Sequence, residues 1–167
     1  MGSFLINYFQ LPAIGNLTAR EASLYVSLYW GGAMAGRFIG SAVLRHLATG
    51  LVLGISAAVA CLLVVVSMLT FGHVAMAAII AVGLFNSIMF PSIFTLGIAG
   101  LGPLTGRGSS LMIAAIVGGA IIPLIQGKIA DSPIGIHHAF VLPVLCYLYI
   151  CSFGFTRARS ATATRRV

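Results

Sequence analysis

Hydrophobic residues dominate five stretches of the chain, and short polar or glycine-rich segments separate these stretches. The predicted spans are residues 22–43, 51–70, 74–99, 109–125 and 137–155. A helix rises ~1.5 Å per residue, so about 20 apolar residues are needed to cross the ~30 Å hydrocarbon core of a membrane. The pattern therefore predicts an all-α integral membrane protein.

The first twelve residues form a shorter apolar segment with a polar stripe. Ser3, Asn7 and Gln10 are four and three residues apart, a spacing that places them on one face of a helix. At ~18 Å the segment 1–12 is too short to span a bilayer. We expect it to be an incomplete first helix, namely the latter half of a span.

Composition and charge agree with this fold class. The chain is 60% hydrophobic and 7% charged, with a mean hydropathy of +1.11. Its net charge of +7 is scattered along the chain, so we expect no nucleic-acid partner. Between the predicted spans, only Arg20 and Lys128 fall on one side of the membrane. The other side carries Arg37, Arg45, Arg107, Arg157, Arg159, Arg165 and Arg166.

The positive-inside rule then places the basic tail, residues 157–167, in the cytoplasm. This tail has no apolar face, and we expect it to be disordered. The spans make up one transmembrane unit over residues 1–156.

Polar residues inside the segment 83–102 are the clearest functional signal. Asn86 and Ser87 lie at membrane depth, and Pro91 can kink the helix that carries them. A buried amide is costly unless a helix, water or ligand pairs with it. Two interpretations stay open: Asn86 lines a polar cavity, or it holds one helix to another.

Neutral amides and aromatic rings at membrane depth suit a neutral polyhydroxy ligand, such as a sugar, which offers many hydroxyl groups and no charge. For the aromatic residues, anchoring at the membrane interface is the alternative. The candidate substrate-binding residues are Asn7, Gln10, Tyr29, Trp30, Asn86 and Ser87.

Small residues indicate close helix packing at two places. Gly32, Gly36 and Gly40 follow one another at four-residue spacing, which clears one helix face for a neighbour. Gly118 and Gly119 loosen a later span and are also assigned to helix packing.

No catalytic or metal-binding pattern is visible, so the sequence predicts no enzyme, no metal and no cofactor. The only acids, Glu21 and Asp131, lie in predicted loops, which leaves no carboxylate at membrane depth for proton coupling. His137 and His138 are expected at headgroup level, with a coupling role as the less favoured alternative.

Four segments of the chain carry a recognisable pattern: residues 27–40 (SLYWGGAMAGRFIG), 83–91 (GLFNSIMFP), 116–123 (IVGGAIIP) and 146–150 (CYLYI). In sequence and in order they resemble the C-terminal half of the bacterial fucose permease and glucose/galactose transporter family, within the major facilitator superfamily. The resemblance implies a twelve-helix carrier whose two halves rock around a central sugar site, driven by proton symport. This chain would supply the end of the seventh helix and helices eight to twelve.

The resemblance also implies residue roles. A basic cytoplasmic gating loop would include Gly36, Arg37, Gly40 and Arg45. Asn7, Asn86 and the Gly118–Gly119 break would lie on helices that line the cavity.

The expected function is transport of a neutral hexose, either glucose and galactose or fucose, across the inner membrane. Protons would be coupled through the N-terminal half, either on the same polypeptide or on a separate one, so that the chain alone would be inactive. Membrane lipid is the remaining expected partner. The alternative is a non-transporting membrane fragment or degenerate gene product with a structural role.

Overall fold

The computed structural model describes residues 2–131, 135 and 139–164, and helices account for most of them. His137, His138, Arg165 and Arg166 lie outside the described residues, as does the predicted start of the last span. The helices are α1 (Leu5–Phe9), α2 (Ala19–Val43), α3 (Thr49–Leu69), α4 (Gly72–Asn86), α5 (Met89–Ile98), α6 (Thr105–Ala114), α7 (Gly118–Ala130) and α8 (Val141–Thr164). Short 3-10 turns precede α1 and α6 and link α6 to α7.

Four helical stretches of the described chain are long and apolar enough to cross a membrane by length and composition. These are Thr49–Leu69, Gly72–Ile98, Gly102–Ala130 and Val141–Arg159. Helix α2 has 25 residues but is not among them. It is less apolar because it carries Arg20, Glu21 and Arg37. For α2, membrane crossing stays a prediction, as does the assignment of the short α1 to the latter half of a span.

Thr18 and Glu21 are three residues apart, which is the spacing of a capping box, and helix α2 begins with one. The backbone N–H of Glu21 donates to the Thr18 hydroxyl at 3.4 Å, and the backbone N–H of Thr18 donates to the Glu21 carboxylate at 2.9 Å. The Thr18 hydroxyl also donates to that carboxylate at 2.8 Å, and the backbone and hydroxyl donors of Thr18 together lower the pKa of Glu21. The capping box thus gives hydrogen-bond partners to two backbone N–H groups that the first turn of a helix otherwise leaves unpaired.

The break between α4 and α5 follows from Pro91. Proline has no N–H, so the carbonyl of Ser87, four residues earlier, loses its helical donor. Helix α4 ends at Asn86 and α5 starts at Met89, which places Pro91 in the first turn of α5. The predicted interruption of this span is confirmed.

Helices α3 and α4 lie at the centre of the bundle, because they pack extensively against each other, α2 packs on α4, and α8 packs on α3. Glycines on α2 face α4 in register. A Cβ on Gly36 would lie 2.9 Å from the carbonyl carbon of Leu84, and one on Gly40 would collide with the side chain of Ile88. A Cβ on Gly32 would lie 3.9 Å from the Leu84 nitrogen, which is an ordinary contact distance. A helix-packing role for Gly32 stays a prediction.

Helices α3 and α8 run antiparallel, because Gly50 near the start of α3 contacts Ala158 near the end of α8. The turn after α2 therefore lies at the same end of the bundle as the last turns of α8. We name this the arginine-rich end, defined by Arg45, Arg157 and Arg159. Glu21 lies at the other end of α2, about 36 Å from Arg45 at ~1.5 Å per residue.

Three sequence-based expectations are wrong. Residues 126–130 do not form a loop, since α7 continues to Ala130. Residues 157–164 are not disordered but prolong α8 to Thr164. Gly36, Arg37 and Gly40 lie within α2 rather than in a loop, and only Arg45 of that predicted set lies between α2 and α3.

The close approach of α2 to α4 yields a testable prediction. Replacing Gly36 with alanine places a Cβ against the backbone of Leu84 and 2.6 Å from the Ser87 hydroxyl. We expect a loss of about 1–3 kcal/mol in unfolding free energy, since this contact cannot be relieved by a side-chain rotation alone. Thermal unfolding in detergent, followed by circular dichroism, measures the change.

Gly31→Ala is the matched control, because a Cβ on Gly31 meets nothing within 4 Å. It should leave the midpoint unchanged or raise it, as alanine favours helix over glycine. Equal effects of the two substitutions would contradict the packing of Gly36 against α4.

Candidate functional site

The carboxamide of Asn86 joins three helices. Its Nδ2 donates to the Tyr29 hydroxyl of α2 at 3.3 Å, and the Tyr147 hydroxyl of α8 donates to its Oδ1 at 3.4 Å. Tyr29 is 3% exposed and Tyr147 5% exposed. Both hydrogen bonds are long, yet they give three polar groups partners inside an apolar bundle. We call these residues, Tyr29, Asn86 and Tyr147, the polar junction.

The sequence around Asn86 makes room for the junction. Gly83 lies one helical turn before Asn86, and a Cβ there would approach a ring carbon of Tyr29 at 3.0 Å. The missing side chain lets the tyrosine ring lie directly on α4. Tyr147 was not among the predicted site residues, because its segment looked like a uniformly apolar span.

Ser87 is also directed into the bundle. Its side chain is buried, and its hydroxyl donates to the Leu84 carbonyl at 2.8 Å. The contacts of Tyr29, Asn86 and Ser87 thus correspond to the helix-holding interpretation. Sugar contact by these three residues stays a prediction.

The remaining sugar-contact candidates form a separate, exposed group. The side chains of Asn7 and Gln10 are exposed on α1, and Trp30 is 60% exposed on α2. The indole of Trp30 packs edge-on against Tyr29, with ring centroids 5.6 Å apart. We call Asn7, Gln10 and Trp30 the exposed group. The described contacts do not join its two amides to the polar junction.

A buried chain of hydroxyl groups fixes α1 to the bundle. The Tyr8 hydroxyl lies 2.8 Å from the Ser67 hydroxyl, which in turn donates to the Ala75 carbonyl at 3.0 Å. Tyr8 and Phe9 are fully buried. Since these two residues point inward, Asn7 and Gln10 on the same short helix are left facing outward.

Gln126 is the polar residue that sequence reasoning missed. It is fully buried, and neither polar atom of its amide has a hydrogen-bond partner among the described residues. Because Gln126 lies close to Lys128 and Asp131 in the sequence, it was assigned to a polar loop. Its burial could be predicted only if the end of α7 were known. An unpartnered buried amide in an otherwise apolar helix is a candidate functional group.

Gly118 and Gly119 do not pack against another helix in the described structure, because a Cβ at either position meets nothing within 4 Å. They follow directly on the 3-10 turn Ala115–Val117 that links α6 to α7. No residue of α6 is buried, and only Gln126 is buried on α7. This long helical stretch therefore presents nearly all of its surface outside the half-bundle.

Comparison with known proteins confirms the resemblance drawn from the sequence. The chain is 49% identical over 160 residues to a glucose/galactose transporter of Brucella abortus (strain 9-941), covering 96% of this chain and 39% of that protein. It is 36% identical over 162 residues to the L-fucose-proton symporter of Escherichia coli K12, covering 97% of this chain and 36% of the symporter. No family model matches the chain.

The fold is also that of a solved carrier. The crystal structure of the major facilitator superfamily transporter FucP, in its outward conformation, matches with a TM-score of 0.88 and 34% sequence identity. The match covers 93% of this chain and 37% of FucP. The chain is thus homologous to these sugar transporters over nearly its whole length. It spans about two fifths of the length of the curated relatives that it matches.

The polar junction predicts a specific loss of stability. Replacing Asn86 with leucine leaves two buried tyrosine hydroxyls without their partner, and we expect a loss of about 1 kcal/mol. In a background where Tyr29 and Tyr147 are both phenylalanine, the same substitution should cost less. A thermal unfolding double-mutant cycle in detergent measures this coupling.

An Asn86→Leu loss that is unchanged in the phenylalanine background would contradict the junction. Sugar binding by the assembled carrier gives a second readout. Binding that falls in the Asn86→Leu variant but not in Tyr147→Phe would assign Asn86 to the ligand.

Replacing Gln126 is predicted to raise the stability of the protein, whereas replacing Asn86 is predicted to lower it. Replacing the unpartnered amide of Gln126 with leucine should raise the unfolding midpoint, because a buried unpaired polar group costs about 1–3 kcal/mol. Gln10→Leu, at an exposed position on α1, serves as the control and should change stability by less than about 0.5 kcal/mol. A lower midpoint for Gln126→Leu would show that the amide is paired in the folded protein.

Proposed function

We propose that this chain is the C-terminal half of a proton-coupled symporter for a neutral hexose, either glucose and galactose or fucose. The observation that carries the proposal is the 49% identity to a glucose/galactose transporter over 96% of the chain. A non-transporting structural fragment is not favoured by these relatives, which are named as transporters.

The exposed group is the part of the chain best suited to contact the sugar. The amides of Asn7 and Gln10 can each donate and accept hydrogen bonds, which matches the hydroxyl groups of a hexose. Trp30 adds an aromatic face for the apolar C–H surface of the sugar. Because these side chains are exposed and are not buried by helix packing, a ligand can reach them.

Proton coupling requires a group outside the membrane-spanning part of this chain. The two carboxylates, Glu21 and Asp131, are both exposed and lie at the ends of helices. A relay through the membrane normally uses a buried titratable side chain. We therefore propose that the coupling carboxylates belong to the N-terminal half, either on the same polypeptide or on a separate one.

The carrier is proposed to lie in the inner membrane with the arginine-rich end, and hence the C-terminus, in the cytoplasm. The excess of arginine at that end supports this orientation under the positive-inside rule. Arg37, near the end of α2, and Arg45, in the turn that follows, are exposed there and are proposed to act in cytoplasmic gating.

A chimeric carrier tests the proposed function. The matching segment of the Brucella abortus glucose/galactose transporter is replaced by this chain, and uptake of labelled hexoses is measured in cells that lack their own hexose carriers. We expect uptake of glucose, galactose or fucose that a protonophore abolishes. Changing Asn7 and Gln10 together to leucine should lower uptake roughly tenfold, since each lost sugar hydrogen bond costs about 0.5–1.5 kcal/mol.

Ser41→Ala is the control, because Ser41 is exposed near the arginine-rich end and its hydroxyl bonds only to the Phe38 carbonyl of its own helix. Membrane levels of all variants are compared through a C-terminal tag. A chimera that reaches the membrane at normal levels but takes up none of the three sugars would refute the proposal.

A further inference from the structure

An apolar groove opens between α2 and α3 at the arginine-rich end. It encloses about 190 Å³ and is lined by Ile39, Gly40 and Val43 of α2, by Val52 and Ile55 of α3, and by Ile88 at its floor. The groove exists because α2 and α3 each pack on α4 and hardly on each other. Gly40 lets the side chain of Ile88 come up against α2 and form the floor, since a Cβ at position 40 would collide with Ile88.

The groove is open to its surroundings. Ile39 is 56% exposed and Ile55 is 46% exposed, although both belong to its walls. An apolar cavity of this kind does not hold ordered water, which needs polar partners. In a protein whose helices cross a bilayer, hydrocarbon is the surrounding medium that fits such walls.

Positive charge lies at the mouth of the groove. Arg45 is exposed in the turn after α2, two residues before Leu47, which itself lines the groove. On the other side of the first turns of α3, Arg159 lines a second cavity together with Ala48 and Leu51. Glu21 does not neutralise this charge, since it lies in the first turn of α2 at the opposite end of that helix.

From this pairing of an apolar groove with a basic mouth, we propose that the arginine-rich end binds an anionic phospholipid. One acyl chain lies in the groove between α2 and α3, and the phosphate of the headgroup pairs with Arg45. Basic residues beside grooves between membrane helices are a recognised arrangement for anionic headgroups. A zwitterionic lipid would fill the groove equally well but would bring no net charge to the arginine.

The lipid would also have a structural effect. It fills space between α2 and α3 that no side chain of the described residues fills, and it touches the same face of α2 that carries Gly36 and Gly40. Bound lipid should therefore stabilise the packing of α2 against α4. This proposal depends on the membrane location of the chain and not on which solute is transported.

Native mass spectrometry of the full 167-residue chain tests the proposal. The chain is purified in a mild detergent and offered dioleoyl phosphatidylglycerol or dioleoyl phosphatidylcholine, and the retained lipid is counted. We expect preferential retention of phosphatidylglycerol. Arg45→Gln should lower that retention about fivefold and leave phosphatidylcholine unchanged.

Arg20→Gln is the matched control, because Arg20 is equally exposed but lies at the opposite end of α2. It should leave retention of phosphatidylglycerol unchanged. Val43→Trp, which fills the groove, should lower retention of both lipids. The two arginine variants decide the question even if Val43→Trp fails to fold, since both arginines are on the surface.

Three results would overturn the proposal. Equal retention of the two lipids by the unmodified chain would show that charge plays no part. Equal losses in Arg45→Gln and Arg20→Gln would mean general attraction to a basic protein rather than a site. If a protein segment covers the groove instead, a folded Val43→Trp variant should lose stability and keep its lipid retention, which also refutes lipid binding there.

Discussion

The close approach of α2 to α4 is the contact on which the rest of the structure depends. In a membrane, lipid tails are as apolar as leucine, so helices are held together by tight packing and polar contacts instead. Gly36 permits the approach to the Leu84 backbone, and Gly83 admits the ring of Tyr29. Only with this spacing can the Asn86 carboxamide reach tyrosines on two other helices.

Because of this close packing, the polar residues of the chain fall into two groups: some hold helices together, and others are exposed. Tyr29, Asn86 and Ser87 have their hydrogen-bonding groups occupied within the half-bundle, whereas Asn7 and Gln10 are exposed. Tyr8 and Phe9 account for this difference on α1, because their burial turns the two amides outward. A carrier needs both kinds of residue, since a helical scaffold must stay rigid while the surface it presents binds and releases solute.

The sequence was informative wherever a local rule determined the outcome. The Thr18–Glu21 capping box and the break before Pro91 both follow from short-range chemistry. It was less informative where a neighbouring helix decides. The burial of Gln126 and the role of Tyr147 depend on which face of α7 or α8 is covered, and no spacing within those helices reveals it. The helical end of α8 was missed because Arg157 and its neighbours suppress the apolar signal, although they still permit a helix.

Uptake of labelled hexose by cells that express only these 167 residues tests the central proposal most directly, with and without a co-expressed N-terminal half of a relative. Because the only two acids of the chain are exposed, we expect no uptake by the chain alone. We expect protonophore-sensitive uptake once the other half is supplied. Protonophore-sensitive uptake by the chain alone would contradict the proposal that it acts as half of a carrier.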